Sequence, residues 1–301
     1  MVTYKDGEWL DDDKATVSVR SRALNYGMGC FGGIRGYLAD DGKEVFIFRL
    51  DAHVHRLAYS AKILHLRLPD AQTTSNVILE LVRRNEVHHD VYVRPLLIHN
   101  SNALAPVLDI ESTSFIAFCM PLKRYIDKDA IDVCVSSWRR VRDNAIPSRT
   151  KPTGAYINSA LARREAFDNG FDEAIFLTEN GKVSEGSAEH VFIVRDGVLY
   201  SPPSTEDNLD GITRRSLITM ATEDLGMKFH ERQIGRSELY VADEMFLCGT
   251  GAQVTPVRSV DRRDVGNGSI GEVTRKISKH FQDVVHGRVD HRRNWLTPVW
   301  G

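Results

Sequence analysis

The chain has 301 residues, 42% of them hydrophobic and 27% charged, with a formal net charge of −2. That balance excludes disorder, and with no basic block or tail it argues against nucleic acid or an anionic membrane as partner. The longest apolar runs, VFIF from Val45 and SFIAFCM from Ser114, have strand length and fall well short of the roughly 20 residues that span a bilayer. The length exceeds what one core usually serves, so two domains are expected.

The N-terminal MVTYKDGEWLDDDK is charged and has no apolar signal core. Cys30, Cys119, Cys134 and Cys248 lack CxxC spacing; three of them lie in apolar runs and read as small buried hydrophobes, so a reducing compartment and a cytoplasmic location are expected. A strand over Glu44–Arg49 leads to Asp51 as N-cap of an amphipathic helix carrying Val54, Leu57, Ala58, Ala61 and Leu64. A second helix is expected from Thr74 to Asn85, then strands at VYVRPLLI from Val91 and SFIAFCM from Ser114. The polar PLKRYIDKDA from Pro121 reads as the interdomain linker, 121–131, dividing a small domain (1–120) from a larger one (132–301).

Beyond it come a strand at IDVCVSSW and a helix from Tyr156 to Asn169 closed by Gly170. A strand at EAIFLT follows, then a hairpin of HVFIV and VLY joined through Arg195, Asp196 and Gly197. Helices are expected at TRRSLITMATEDL and GEVTRKISKHFQDVV. The pattern implies two α/β domains.

The chemistry concentrates in the second half. Lys151 opens KPTGAY just before a turn that feeds a helix. An amine meant for Schiff-base work must lower its pKa from about 10.4 through burial or a nearby cation. Standing alone, Lys151 would read as a solvated surface charge; its place before the turn changes that. Glu185 lies in the turn SEGSAEH, either capping its own backbone or facing a pyridine nitrogen, where a carboxylate keeps the ring protonated. DGITRRS starts a helix near Ile212 and Thr213 whose N–H groups suit a phosphate, with an ordinary N-cap by Asp210 or Thr213 as the other reading. CGTGAQ follows a strand and puts Thr250 and Gly251 in a turn able to take a second anion. Arg56 on the first helix could add charge to the phosphate. His53, His55 and His65 lack the i, i+4 pairing of a helical metal site, so no metal is expected.

Taken in order, LNYGMGCFGGIRGY, FRLDAHVHRL, VYVRPL, KPTGAY, SEGSAEH, DGITRRS and CGTGAQVTPVRSVD resemble the fold-type IV pyridoxal-phosphate aminotransferases, most of all the branched-chain amino-acid aminotransferases. The resemblance covers nearly the whole chain and implies an α/β (α+β type), two-domain, D-amino-acid-aminotransferase-like fold. It implies pyridoxal 5′-phosphate bound at Lys151 as a Schiff base, with Glu185 on the pyridine N–H and Tyr156 on the phenolic oxygen. Arg56, Ile212, Thr213 and Thr250 would hold the phosphate, with Leu209, Gly211 and Gly249 completing the cofactor set. Tyr26, Phe31, Gly33, Arg35, Tyr92 and Leu209 would line the substrate pocket. Thr250, Gly251 and Ala252 would take the α-carboxylate, and Arg94 the distal carboxylate of glutamate. The implied reaction is transamination of branched-chain or related hydrophobic L-amino acids with 2-oxoglutarate, by a homodimer or larger oligomer. Other reactions of the same scaffold stay open: a D-amino-acid or R-selective amine aminotransferase, or an aminodeoxychorismate-type lyase. The chain departs from the family pattern at Gly32, along 99–110, and at Ala188 and His190, the last reading as a core or supporting histidine.

Overall fold

A computed structural model describes residues 1–122 and 128–301. The core of the expected linker, 123–127, lies outside the described residues. The chain forms two compact units: Met1–Lys123 with Arg149–Ala155 and Asp283–Gly301, and Arg124–Ser148 with Tyr156–Gln282. The expectation of one boundary near 121–131 did not anticipate that 149–155, and with it Lys151, joins the first unit.

The first unit holds strands β1 (Val2–Lys5), β2 (Glu8–Asp11), β3 (Gly29–Phe31), β4 (Ile34–Leu38), β5 (Val45–Phe48), β6 (Val91–His99) and β7 (Thr113–Pro121). With the C-terminal strand Leu296–Pro298 they make one sheet, ordered C-terminal strand–β5–β4–β6–β7–β1–β2, with β3 also on β6. Every pairing in it is antiparallel. Period-2 alternation assigns the faces of β6. Val91 and Val93 are buried with Ile34, Ile47, Leu57, Ile78 and Leu81 in one apolar cluster. Tyr92 and Arg94, the alternate residues, are only half-buried.

Helices α1 (Arg22–Tyr26), α2 (Leu50–Ile63) and α3 (Ala71–Arg84) belong to this unit. Two expected starts are corrected. Asp51 is not the N-cap of α2: Arg49 is, in the left-handed region at φ 54°, because its N–H donates to the Trp295 carbonyl at 2.7 Å. Asp51 instead stands in the first turn, at the positive end of the helix dipole. The second helix starts before Thr74, since the Asp70 carboxylate accepts the Thr73 N–H at 2.9 Å and caps it.

The second unit carries β8 (Ile131–Arg139), β9 (Glu173–Leu177), β10 (Val183–Gly186), β11 (His190–Arg195), β12 (Val198–Ser201), β13 (Phe229–Glu231), β14 (Glu244–Gly249), β15 (Gln253–Val260) and β16 (Arg263–Asp264). Their order is β10–β9–β8–β15–β14–β11–β12–β13, with β16 on β15. This sheet is mixed: β8–β9, β8–β15 and β12–β13 run parallel. Helices α4 (Tyr156–Asp168), α5 (Ile212–Thr219) and α6 (Glu272–Val285) complete the assignment. Gly170, at φ 76°, closes α4. The β11–β12 hairpin turns on two residues, since Arg195 already pairs with Val198. Asp196 and Gly197 both have positive φ, as a type I′ turn requires. The expected helix through Leu225 leaves α-geometry at Thr219 and continues as a π-helix over Met220–Asp224.

Ile78 is fully buried in the core of the first unit. Ile78→Ala is expected to lower unfolding stability by about 2–5 kcal/mol, since the cavity cannot fully collapse. Chemical denaturation of the purified protein measures it.

Candidate active site

Lys151 is fixed by hydrogen bonds made by its own backbone. Its carbonyl accepts the Phe31 N–H at 3.0 Å, and its N–H donates to Ser60 Oγ at 3.3 Å. Pro152 bridges to Cys30, and the Thr153 hydroxyl donates to the Gly27 carbonyl at 2.7 Å. Gly27, at φ 64°, has no room for a side chain, because a Cβ there would stand 2.7 Å from Gly154 Cα. Ser60 lies one turn beyond Arg56 on the same face of α2. Arg56 is itself buried, at 8% exposure. The Lys151 amine stands 5.2 Å from the Phe31 ring centroid, and the Arg94 guanidinium lies over the same ring at 4.2 Å. Arg94 donates from Nε and Nη2 to the Tyr92 hydroxyl at 3.1 and 2.8 Å. A Cβ on Gly33 would reach within 2.5 Å of that hydroxyl. Phe31, Gly33, Tyr92, Arg94 and Lys151 are thus gathered in one unit.

Arg35 is held by partners of its own. Its guanidinium pairs with Asp90 at 3.1 Å, donates to the Leu122 carbonyl and covers the Tyr37 ring. Tyr26 donates its hydroxyl to the Leu104 carbonyl. Together with buried Arg22, which donates to the carbonyls of Ala103 and Val107, it ties down the unusual 99–110 segment.

In the second unit Glu185 is almost buried, and its two oxygens have different partners. Oε1 meets Arg140 Nη2 at 2.9 Å, while Oε2 accepts the Leu209 N–H at 3.2 Å and stands 3.7 Å from His190 Nδ1. Arg140, at the end of β8, also donates to the Asp207 carbonyl. Neither Asp210 nor Thr213 caps α5, because the helix begins at Ile212 and Gly211, which has no side chain, is the N-cap. Ile212 and Thr213 are buried in that first turn. On the β14–β15 turn, Gly249 pairs with Gln253, and the Ala252 carbonyl accepts the Thr255 hydroxyl at 2.8 Å. Thr250 and Gly251 lie in this turn. Tyr156 opens α4.

Burial raises the pKa of several core groups. The Cys30 and Cys134 thiols are pushed up to about 12, and Cys119 to about 11. Glu189 is held above the carboxylate range first by burial and then by the charge of Glu173. Among the described residues no group of three metal-ligating side chains stands together.

Residues 29–260 match the amino-transferase class IV family. The chain belongs to the class IV aminotransferases. A probable branched-chain-amino-acid aminotransferase of Aquifex aeolicus is 39% identical over 99% of this chain and 96% of its own. A branched-chain aminotransferase of Thermoproteus uzoniensis, solved with norvaline, is 40% identical with a TM-score of 0.94, covering 100% of this chain and 99% of that one. A branched-chain amino acid aminotransferase from T.th., complexed with N-(5′-phosphopyridoxyl)-L-glutamate, is 38% identical with a TM-score of 0.93, covering 99% and 98%. The aminotransferase uses pyridoxal 5′-phosphate. The donor set fits that group. There is an amine on a pinned backbone, a buried guanidinium on α2, a nearly buried carboxylate with an arginine behind it, and a helix start whose N-cap has no side chain to cap the first turn.

Sequence reasoning missed Arg140 as the support of Glu185. The one signal for it is the arginine pair directly after the apolar run IDVCVSSW. It missed Ser60 as well, which sits on the face of α2 that carries Arg56.

Glu189 binds its proton more tightly when folded than the 4.5 of an unperturbed glutamate, so the folded state holds more protons above that pH and stability falls as pH rises. Glu189→Gln, which keeps an oxygen for the Ala188 N–H, is expected to flatten this loss and raise the alkaline melting temperature. Thermal unfolding from pH 5 to 9 checks it; an unchanged slope refutes it.

Proposed function

We propose that this aminotransferase moves the amino group of branched-chain and related hydrophobic L-amino acids to 2-oxoglutarate, giving the 2-oxo acid and L-glutamate. The observation that carries the reading is the Phe31 ring with Arg94 on it and the Lys151 amine beside it. One patch thereby offers apolar surface to a leucine-like side chain and a guanidinium fork to a distal carboxylate. Relatives solved with norvaline and with a phosphopyridoxyl-L-glutamate adduct support both halves of that specificity.

When bound, pyridoxal 5′-phosphate supplies the electron-withdrawing ring that stabilises negative charge at the substrate α-carbon. The chain's residues do the rest. Lys151 Nζ would hold the cofactor and would move the proton at the substrate α-carbon. Glu185, held by Arg140 and the Leu209 N–H, keeps a proton on the pyridine nitrogen. Tyr156 would bond the phenolic oxygen. Arg56, the N–H groups of Ile212 and Thr213 at the helix start framed by Gly211, and the Thr250 hydroxyl would hold the phosphate. The turn Gly249–Ala252 presents N–H groups to the α-carboxylate, with Thr250 and Gly251 as the donors.

We also propose a homodimer at least, in the cytoplasm. The exposed apolar residues Leu24, Tyr26, Leu104, Val107 and Leu108 of the first unit support the first statement, and four buried, free cysteines the second. No helix among the described residues is long and apolar enough to cross a membrane.

Borohydride is expected to fix the cofactor on Lys151, read by peptide mass spectrometry, and Lys151→Ala should abolish turnover without loss of fold. Labelling at another lysine overturns the role. A donor panel of leucine, isoleucine, valine, aromatic amino acids, alanine, D-alanine and R-phenylethylamine with 2-oxoglutarate tests the substrate class. Preference for the D-amino acid or the R-amine contradicts the reading. Arg94→Ala should lower kcat/KM for glutamate by about 100-fold, as loss of a charged fork does, and for leucine by much less. Equal losses contradict the assignment of Arg94.

A further inference from the structure

His190 begins β11, and its side chain is only 7% exposed. It faces two parts of the proposed cofactor site at once. Its Nδ1 stands 3.7 Å from Glu185 Oε2. Its opposite edge fills the space at Gly211, where a methyl group would collide with Nε2 and come within 2.5 Å of Cδ2. Gly211 is the N-cap of α5. The imidazole therefore lies between the carboxylate and the first turn of the helix, two features the sheet ladder alone does not connect. The ladder fixes the wedge itself, because His190 pairs across strands with Cys248, just before the Gly249–Ala252 turn. Glu189 is the next acid along the chain, and it is turned to the Ala188 N–H.

We propose that His190 is a positioning residue that sets the separation between the group meeting the pyridine nitrogen and the N–H groups meeting the phosphate. The proposal rests on the reading of Glu185 and α5 given above. Rigid rings bridge two such groups well only when the spacing is preset, so a preset spacing rewards a ligand that uses both ends and does little for one that uses a single end. The same contact explains why position 211 is glycine at an ordinary φ of −78°, where conformational freedom does not require it.

The test compares binding of pyridoxal 5′-phosphate and of phosphate-free pyridoxal to purified apoprotein by absorbance titration, with circular dichroism of each variant as the folding check. Gly211→Ala is expected to weaken pyridoxal 5′-phosphate binding about tenfold, the ordinary cost of overpacking. His190→Asn keeps a polar atom near the Nδ1 position but withdraws the ring edge from residue 211. In that background Gly211→Ala should cost less than about threefold, since the two sites are coupled through one contact. His190→Ala should weaken pyridoxal 5′-phosphate by about tenfold and pyridoxal by less than about twofold, because only the two-ended ligand uses the spacing. Additive losses in the double variant, or equal losses for the two ligands, overturn the proposal. If Gly211→Ala does not fold, recovery of folded protein in the double variant supports the wedge and continued failure refutes it. Glu185→Gln separates the two layers. If it leaves affinity and the bound cofactor's absorption spectrum unchanged, the reading of Glu185 fails, whatever His190 does.

Discussion

The hydrogen-bonded pairing between Phe31 and Lys151 is the constraint on which the placement of Lys151 depends. The lysine's carbonyl accepts from Phe31, its N–H reaches Ser60, and the residues after it are tied to Gly27 and Cys30. Each such bond contributes on the order of 1 kcal/mol net, yet together they leave the lysine's backbone no alternative path. The segment 149–155 is thereby part of the antiparallel unit even though the chain on either side of it belongs to the other. In the role proposed for Lys151, an amine on a flexible loop would have to be ordered at each turnover, whereas here its backbone is already held by the sheet.

The same sheet explains what could be read from sequence and what could not. VYVRPLLI alternates valines with Tyr92 and Arg94, so the division into a core face and a polar face follows from the side-chain period alone. The Asp196–Gly197 hairpin and the Gly170 stop were legible for an equally local reason: the backbone needs a positive φ there, and the residue types permit it. The start of α3 was missed for a local reason, the Asp70 cap on Thr73, but other errors have long-range causes. Arg49 takes the N-cap from Asp51 because its N–H is claimed by Trp295, 246 positions along the chain. Gly211 displaces Asp210 and Thr213 as N-cap where an imidazole from another strand occupies the space. Arg140 went unread because its partner, Glu185, lies 45 positions away. Motif order identified the family without this information, because motifs record residue identity and not the contacts that hold each residue in position.

Glu185 and Arg35 show two ways in which a buried ionic group is fixed by its neighbours. A nearly buried carboxylate such as Glu185 is costly unless paired, and removing one member of such a pair costs more than the pair contributes. Arg140 and the Leu209 N–H satisfy that requirement from one side, so the carboxylate is oriented before any ligand arrives. Arg35 shows the contrary use of the same residue type. Locked to Asp90 and the Leu122 carbonyl, it is spent on holding β4 against the start of β6.

In the function proposed above, Arg94 carries this into specificity. Its guanidinium is directed by a neutral phenol and not by a carboxylate, so the Tyr92 hydroxyl orients the fork without cancelling its charge. The phenol occupies only part of the fork's donor set, and the Phe31 ring under the guanidinium supplies apolar surface and a cation–π contact. Gly33 is small because the Tyr92 hydroxyl fills the volume a Cβ would need. Glycine, phenol, guanidinium and ring therefore form one chain of mutual dependence, and altering the first disturbs the last. A carboxylate-directed arginine in the same place would bind a second carboxylate weakly, because its charge would already be compensated. A phenol-directed one keeps its attraction for an acid while the ring beside it accepts an alkyl group. A reaction whose two half-turns must admit an apolar side chain and an acidic one calls for such a surface.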